Sequence, residues 1–191
     1  EVMVERVTQH VFDEAPGFLA VLSGPDHVFR QANRAYRAFV GRSDEIVGKP
    51  VRDVAPDAIE QGWGAVLDEV LRTGKPYFGD ASPVRLRREG QEAPEERLVD
   101  FIFQPMRGSG GRAEGILIQG SDVTEHRRTL ERLRESEARF RTIADAMPQM
   151  VWSTRADGAH DYFNRQWYEF TGVPEGATHG DGWNGIFHPQ D

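Results

Sequence analysis

One nine-residue pattern occurs twice in this chain, 131 residues apart, so a fold that satisfies the first copy must also satisfy the second. Asn33-Arg34-Ala35-Tyr36-Arg37-Ala38-Phe39-Val40-Gly41 matches Asn164-Arg165-Gln166-Trp167-Tyr168-Glu169-Phe170-Thr171-Gly172 in the form N-R-x-aromatic-x-x-F-x-G. Upstream, Ala15-Pro16 followed by FLAVL corresponds to Met147-Pro148 followed by QMVWS, with a one-residue slip before the turns at Asp26 and Asp157. Self-similarity of this kind marks a repeated module. The first copy runs on for about 80 residues past Gly41, whereas the second reaches only Asp191 and corresponds to the front part of the module.

Between the copies lies DVTEHRRTLERLRESEARFRTIADAMP, from Asp122 to Pro148. Steps of three and four place Val123, His126, Leu130, Leu133, Glu137, Phe140, Ala144 and Met147 on one seam, the seven-residue repeat of a coiled-coil helix. Asp122 and Glu125 have the spacing of a capping box, and Pro148 disfavours helix in the residue before it. The expected rod is therefore about 25 residues, or roughly 37 Å, long. His126 and Glu137 are polar seam positions that weaken the seam and tune its register.

The first copy reads as an α+β unit with five antiparallel strands. Val4, Val7 and Val11 have helical spacing ahead of a strand at 18–22, and Gly24-Pro25-Asp26 turns the chain into a second strand at 27–32. Asn33 fits a helix N-cap, and Gly41 ends that short helix. From Pro56, the apolar set Ile59, Trp63, Val66, Leu67, Val70 and Leu71 predicts one longer helix, stopped by Gly74 and Pro76. Three strands follow: around Val84 and Leu86, at 97–104, and at 115–119, with a loop at Glu89 to Glu96 and a Gly-rich turn at 108–111. In the middle one Val99, Phe101 and Phe103 face one way and Leu98, Asp100, Ile102 and Gln104 the other.

Composition narrows the chemistry. The chain of 191 residues contains no cysteine, which excludes disulfides, thiolate metal sites and cysteine nucleophiles. A net charge of −8, with arginines dispersed among acids, argues against nucleic acid as a partner. Apolar runs such as FLAVL are far too short to span a bilayer, so no membrane contact is expected of this segment, and a cytoplasmic location fits.

These residues together resemble the PAS sensory-domain family over essentially the whole chain. The element order is that family's order, Asn33 sits where it commonly opens its first short helix, and Glu45-Ile46-Val47-Gly48-Lys49 is similar to its segment before the main helix. Asp122-Val123-Thr124-Glu125 resembles the aspartate-aliphatic-threonine motif that closes many such domains and starts an output helix. Trp183 and His188-Pro189-Gln190-Asp191 look like the front half of a second domain, although the family usually has an acid where Gln190 stands. The division implied is an N-terminal helical segment (1–11), a PAS domain (12–122), a coiled-coil signalling helix (123–147) and a truncated second PAS domain (148–191).

The resemblance implies a sensor that dimerises through the helix and relays a signal to an output domain of the same protein, most often a two-component histidine kinase. A small-molecule receptor in another signalling protein, such as a diguanylate cyclase or transcriptional regulator, is the alternative. Asp122, Val123, Thr124 and Glu125 would carry the relay. No catalytic or metal-binding group is expected in this segment: His126 is followed by Arg127 and Arg128 rather than by the acid and proline of a phosphoacceptor, and Gly108-Ser109-Gly110-Gly111 lies between strands, which makes it a hairpin turn rather than a phosphate loop. Cysteinyl–flavin chemistry is excluded without Cys. The position two before Asp122 is Gly120, where flavin-binding relatives carry Gln, and 56–73 lacks the histidine of haem-binding relatives. No cofactor is expected, but an unknown small ligand is compatible with this reading. A pocket, if formed, would be lined by Trp63, Leu67, Phe101, Phe103 and Ile118, residues that serve equally as plain core.

Overall fold

Period-two alternation is realised in a twisted antiparallel sheet whose strands come from both ends of the first module. The computed structural model describes residues 9–42, 45–88, 90–180 and 182–186. Two units are defined, Glu1–Arg128 and Thr129–Asp191. In the first, β1 (Phe18–Ser23), β2 (Val28–Ala32), β3 (Tyr77–Leu86), β4 (Glu95–Arg107) and β5 (Ala113–Asp122) lie in the order β2-β1-β5-β4-β3. The first strand pairs with the last: Phe18 opposes Gly120 and Ala20 opposes Ile118.

The inner face carries Phe18, Ala20, Leu22, Val99, Phe101, Phe103, Ile116 and Ile118, all buried. The outward residues Leu98, Asp100 and Ile102 are half-buried and Gln104 is exposed, as the alternation requires. Four helices cover the inner face: α1 (Arg34–Val40), α2 (Val51–Val54), α3 (Pro56–Glu60) and α4 (Trp63–Thr73). Leu67 and Val70 of α4 insert into the core beside Tyr36 and Val40 of α1. Asn33 caps α1 by accepting the Tyr36 N–H, and Gly41 closes it in the left-handed conformation.

Three expectations need correction. The single helix expected from Pro56 is two helices, because Gly62 adopts φ 93° and interrupts the hydrogen-bond ladder between Glu60 and Trp63. Strand β3 begins at Tyr77, before the expected stretch around Val84, and bulges between Gly79 and Ser82. At the N-terminus residues 9–13 are helical, but Val11 is 65% exposed and not on a buried face. Val4, Val7, Glu89, His188, Pro189, Gln190 and Asp191 lie outside the described residues.

Helix α5 (Thr124–Ala146) follows β5 after a single intervening residue, Val123. Its 23 residues give a length of about 35 Å, starting one residue later than the capping-box spacing implied. In the second unit, β6 (Trp152–Thr154) and β7 (His160–Phe163) form an antiparallel pair followed by α6 (Arg165–Thr171) and a 3₁₀ turn at Gly182–Ile186. Asn164 caps α6 through the Trp167 N–H and Gly172 closes it, so the repeat seen in the sequence is a repeat of structure. Phe163 and Trp167 are buried with their rings 4.6 Å apart, whereas Trp152 is 54% and Phe170 79% exposed.

Candidate functional site

Every residue of the Asp122-Val123-Thr124 motif is engaged where β5 becomes α5, and the last two grip one residue of β4. The Val123 N–H donates to the Leu98 carbonyl at 2.8 Å. The Thr124 hydroxyl oxygen accepts the Leu98 N–H at 2.8 Å, and Thr124 is only 2% exposed. The Asp122 carboxylate accepts the Thr124 N–H at 2.9 Å and faces the Arg97 guanidinium at 3.1 Å. Arg97 in turn reaches Glu95 at 2.9 Å. Asp122 therefore satisfies one free N–H of the helix start, as a capping residue does, while Glu125 is exposed to solvent.

The protonation state of Asp122 follows from this setting. Desolvation acts against its charge and is the largest single influence, but the hydrogen bonds from Thr124 and the guanidinium of Arg97 together outweigh it. The carboxyl is held below its ordinary value. One turn further along α5, Arg127 pairs with Asp80 at 2.6 Å, in the bulge of β3, whose Ala81 N–H is held by Asp100 at 2.7 Å. The base of the helix is thus tied to two neighbouring strands.

Three residues along β4 from Leu98, roughly 10 Å, Phe101 faces a cavity of about 70 Å³. Trp63, Leu67, Phe101, Phe103 and Ile118, the residues named from the sequence, all line it, together with Tyr36 and Phe18. Trp63 stands nearly perpendicular to Phe101 and Phe103, at 5.2 and 6.3 Å. Burial pushes the Tyr36 hydroxyl well above the ordinary tyrosine range, so it remains a neutral O–H. Gln119 is exposed, and the inward position beside it is Gly120, under the Phe18 ring.

Most of the seam named from the sequence runs along an exposed side of α5: His126 and Glu137 are exposed, Leu133 is 64% exposed, and Leu130 and Phe140 are exposed too, as is Ile143, which the seam did not include. Near its end, within the second unit, Phe140 meets Tyr162 at 5.2 Å and Ala144 is buried. Asn33 and Asn164 perform one structural task. The Asn33 carbonyl oxygen accepts from Leu19 and Tyr36 while its amide donates to Gly17. The Asn164 oxygen accepts from Val151 and Trp167, and its amide donates to Gln149 and also to Ala144 of α5. Sequence reading missed this last contact, along with the Gln166 and Arg165 bonds to Asp145. Among the described residues no cluster of side chains could hold a metal ion.

The first unit is thus an α+β domain whose sheet is covered on one face by helices and whose last strand continues directly into helix α5. That is the architecture of a sensory domain, and the chain belongs to the PAS family: the model of the PAS fold matches residues 12–128, and a second, described as a PAS domain, matches residues 138–190. An uncharacterized protein, y4lL, of Sinorhizobium fredii is 47% identical over 70 residues, which is 37% of this chain; the chain spans only 8% of that relative's length. Among solved structures, the PAS domain of Bordetella pertussis BvgS superposes with a TM-score of 0.50 at 25% identity, covering 71% of this chain and 99% of that one. An RNA-binding light-oxygen-voltage receptor gives 0.54 at 17% identity, over 72% and 38% of the respective chains. A PAS domain from Colwellia psychrerythraea gives 0.50 at 13%, over 65% and 99%. No helix among the described residues is long and apolar enough to cross a membrane.

Proposed function

We propose that this chain is a signal-sensing segment in which the first PAS unit detects a stimulus and passes it through α5, which pairs with α5 of a second copy, to an output domain of the same protein. The output domain in this reading is the kinase of a cytoplasmic two-component system, the setting that the resemblance to the PAS family most often implies. The observation that carries the relay is the Leu98 grip: the strand that lines the cavity with Val99, Phe101 and Phe103 is hydrogen-bonded through its neighbouring residue to Val123 and Thr124. A shift of β4 therefore moves the base of the helix. Coupling of this kind is worth about 1–3 kcal/mol in proteins that use it. The exposed stripe of Leu130, Leu133, Phe140 and Ile143 supports pairing, and polar His126 and Glu137 keep the seam weak enough to change register.

The cavity favours a second reading, in which the unit is a small-molecule receptor feeding another kind of output, such as a diguanylate cyclase or a transcriptional regulator. Asp122→Ala in the parent protein tests the relay: stimulus and output should separate while circular dichroism shows the fold retained, and unchanged signalling would refute it. Leu133→Glu tests pairing, with loss of dimer in sedimentation as the expected result.

A further inference from the structure

The lining of the cavity limits what can enter it. Among the described residues the only polar side-chain atoms that line it are the Tyr36 hydroxyl and the Trp63 indole N–H, and none of the lining residues is charged. An ion buried there would lack a counter-charge, at a desolvation cost far beyond what binding returns. Its volume, about 70 Å³, is well below the roughly 300–1,000 Å³ of drug-sized ligand sites. Dry apolar cavities of about 150 Å³ take up benzene or xenon, so this one has room for a few heavy atoms.

The sheet under the cavity carries a row of alternating glycines and rings, since Gly79 opposes Phe101, Phe101 opposes Gly120, and Gly120 opposes Phe18. A Cβ built on Gly79 would lie 2.1 Å from the Phe101 ring, so the ring already fills the space above that glycine. Pressure on Phe101 from the cavity side falls on the backbone at Gly79. The bulge begins there: Ala81 holds φ 42°, unusual for a residue with a side chain, and Asp80 pairs with Arg127 of α5.

We propose that the cavity receives an uncharged, apolar molecule of a few heavy atoms, and that Phe101 transmits its presence through Gly79 and the bulge to Arg127 on α5. The proposal rests on the reading of the first unit as a sensor, but the ligand class and the transmission are measured separately from output.

Xenon is the probe, followed by two-dimensional NMR on the whole chain. Xenon should shift the signals of Leu67, Val99 and Ile118 saturably, and those of Ala81 and Arg127 with them, while acetate and inorganic phosphate leave all five in place. Leu67→Ala, which enlarges the cavity by removing three carbons from its wall, should gain benzene binding. Unmoved Leu67, Val99 and Ile118 signals under xenon, with no benzene binding by Leu67→Ala, overturn the ligand class. Phe101→Leu should keep the xenon shifts at Leu67 and Ile118 and lose those at Ala81 and Arg127; their persistence overturns the role of Phe101. Xenon binding that leaves wild-type Ala81 and Arg127 unmoved also overturns that role, whatever Asp122→Ala does to signalling.

Discussion

Thr124→Val removes one oxygen from the joint and almost nothing else. The hydroxyl is buried, and it is the acceptor for the Leu98 N–H at 2.8 Å. Valine fills nearly the same volume but leaves that N–H without a partner, a loss of about 1–3 kcal/mol. The Val123 N–H to Leu98 carbonyl bond is a backbone interaction and should survive, so the helix remains attached on one side only. Expressed as hydrogen exchange, the loss is roughly 5- to 150-fold in protection of the Leu98 amide, with smaller changes at distant core amides such as Ile116. Thr124→Ser retains the oxygen and should restore most of the protection. A Leu98 amide that stays fully protected in the valine variant, with an unchanged urea midpoint, would refute the claim that the hydroxyl pins β4 to the helix.

Three further outcomes are expected. Asn33→Ala leaves the Leu19 and Tyr36 N–H groups and the Gly17 carbonyl without a side-chain partner, and should cost roughly 2–4 kcal/mol in urea denaturation. Because the Asp122 carboxyl is held below its unfolded value of about 3.9, its contribution is fully present above that pH and is lost as the pH falls through its lower folded value. Acid titration followed by circular dichroism should therefore show a shallower loss of stability in Asp122→Asn than in the wild type below about pH 4. Gly79→Ala drives a methyl group into the Phe101 ring and should lower the urea midpoint, while Gly110→Ala, at a position with open space around it, should leave it unchanged.

The parts of the fold that could be read from the sequence were those fixed by local chemistry. Asn33 and Asn164 announce helix starts because a side-chain oxygen placed before an apolar run has a local N–H to accept. Val99, Phe101 and Phe103 announce an inner sheet face through strict alternation, and the cavity residues followed from that face and the helix opposite it. Gly62 was missed because the apolar spacing from Ile59 to Leu71 continues across it, and its left-handed backbone leaves no mark on that periodicity. The first half of β3 was missed because Gly79, Asp80, Ser82 and Pro83 are poor strand formers; pairing with β4 imposes the strand, and an edge position tolerates the proline. Thr124 was named as part of the relay motif, but its grip on Leu98, 26 residues away, is a tertiary contact that spacing does not encode.

The last turn of α5 has a consequence for how such modules are inherited. Asn164 and Gln166 satisfy the carbonyls of Ala144 and Asp145, and the Asp145 side chain accepts the first N–H of α6. A gene fusion that joined a foreign helix at Pro148 would still offer main-chain carbonyls at those two positions but would discard the Asp145 carboxylate, leaving the Arg165 N–H and the Tyr162 hydroxyl without their acceptor at the entrance of the second module. The natural unit of exchange therefore begins inside the helix, upstream of Asp145, and recombination that respects the fold has to carry that turn along with the domain it precedes.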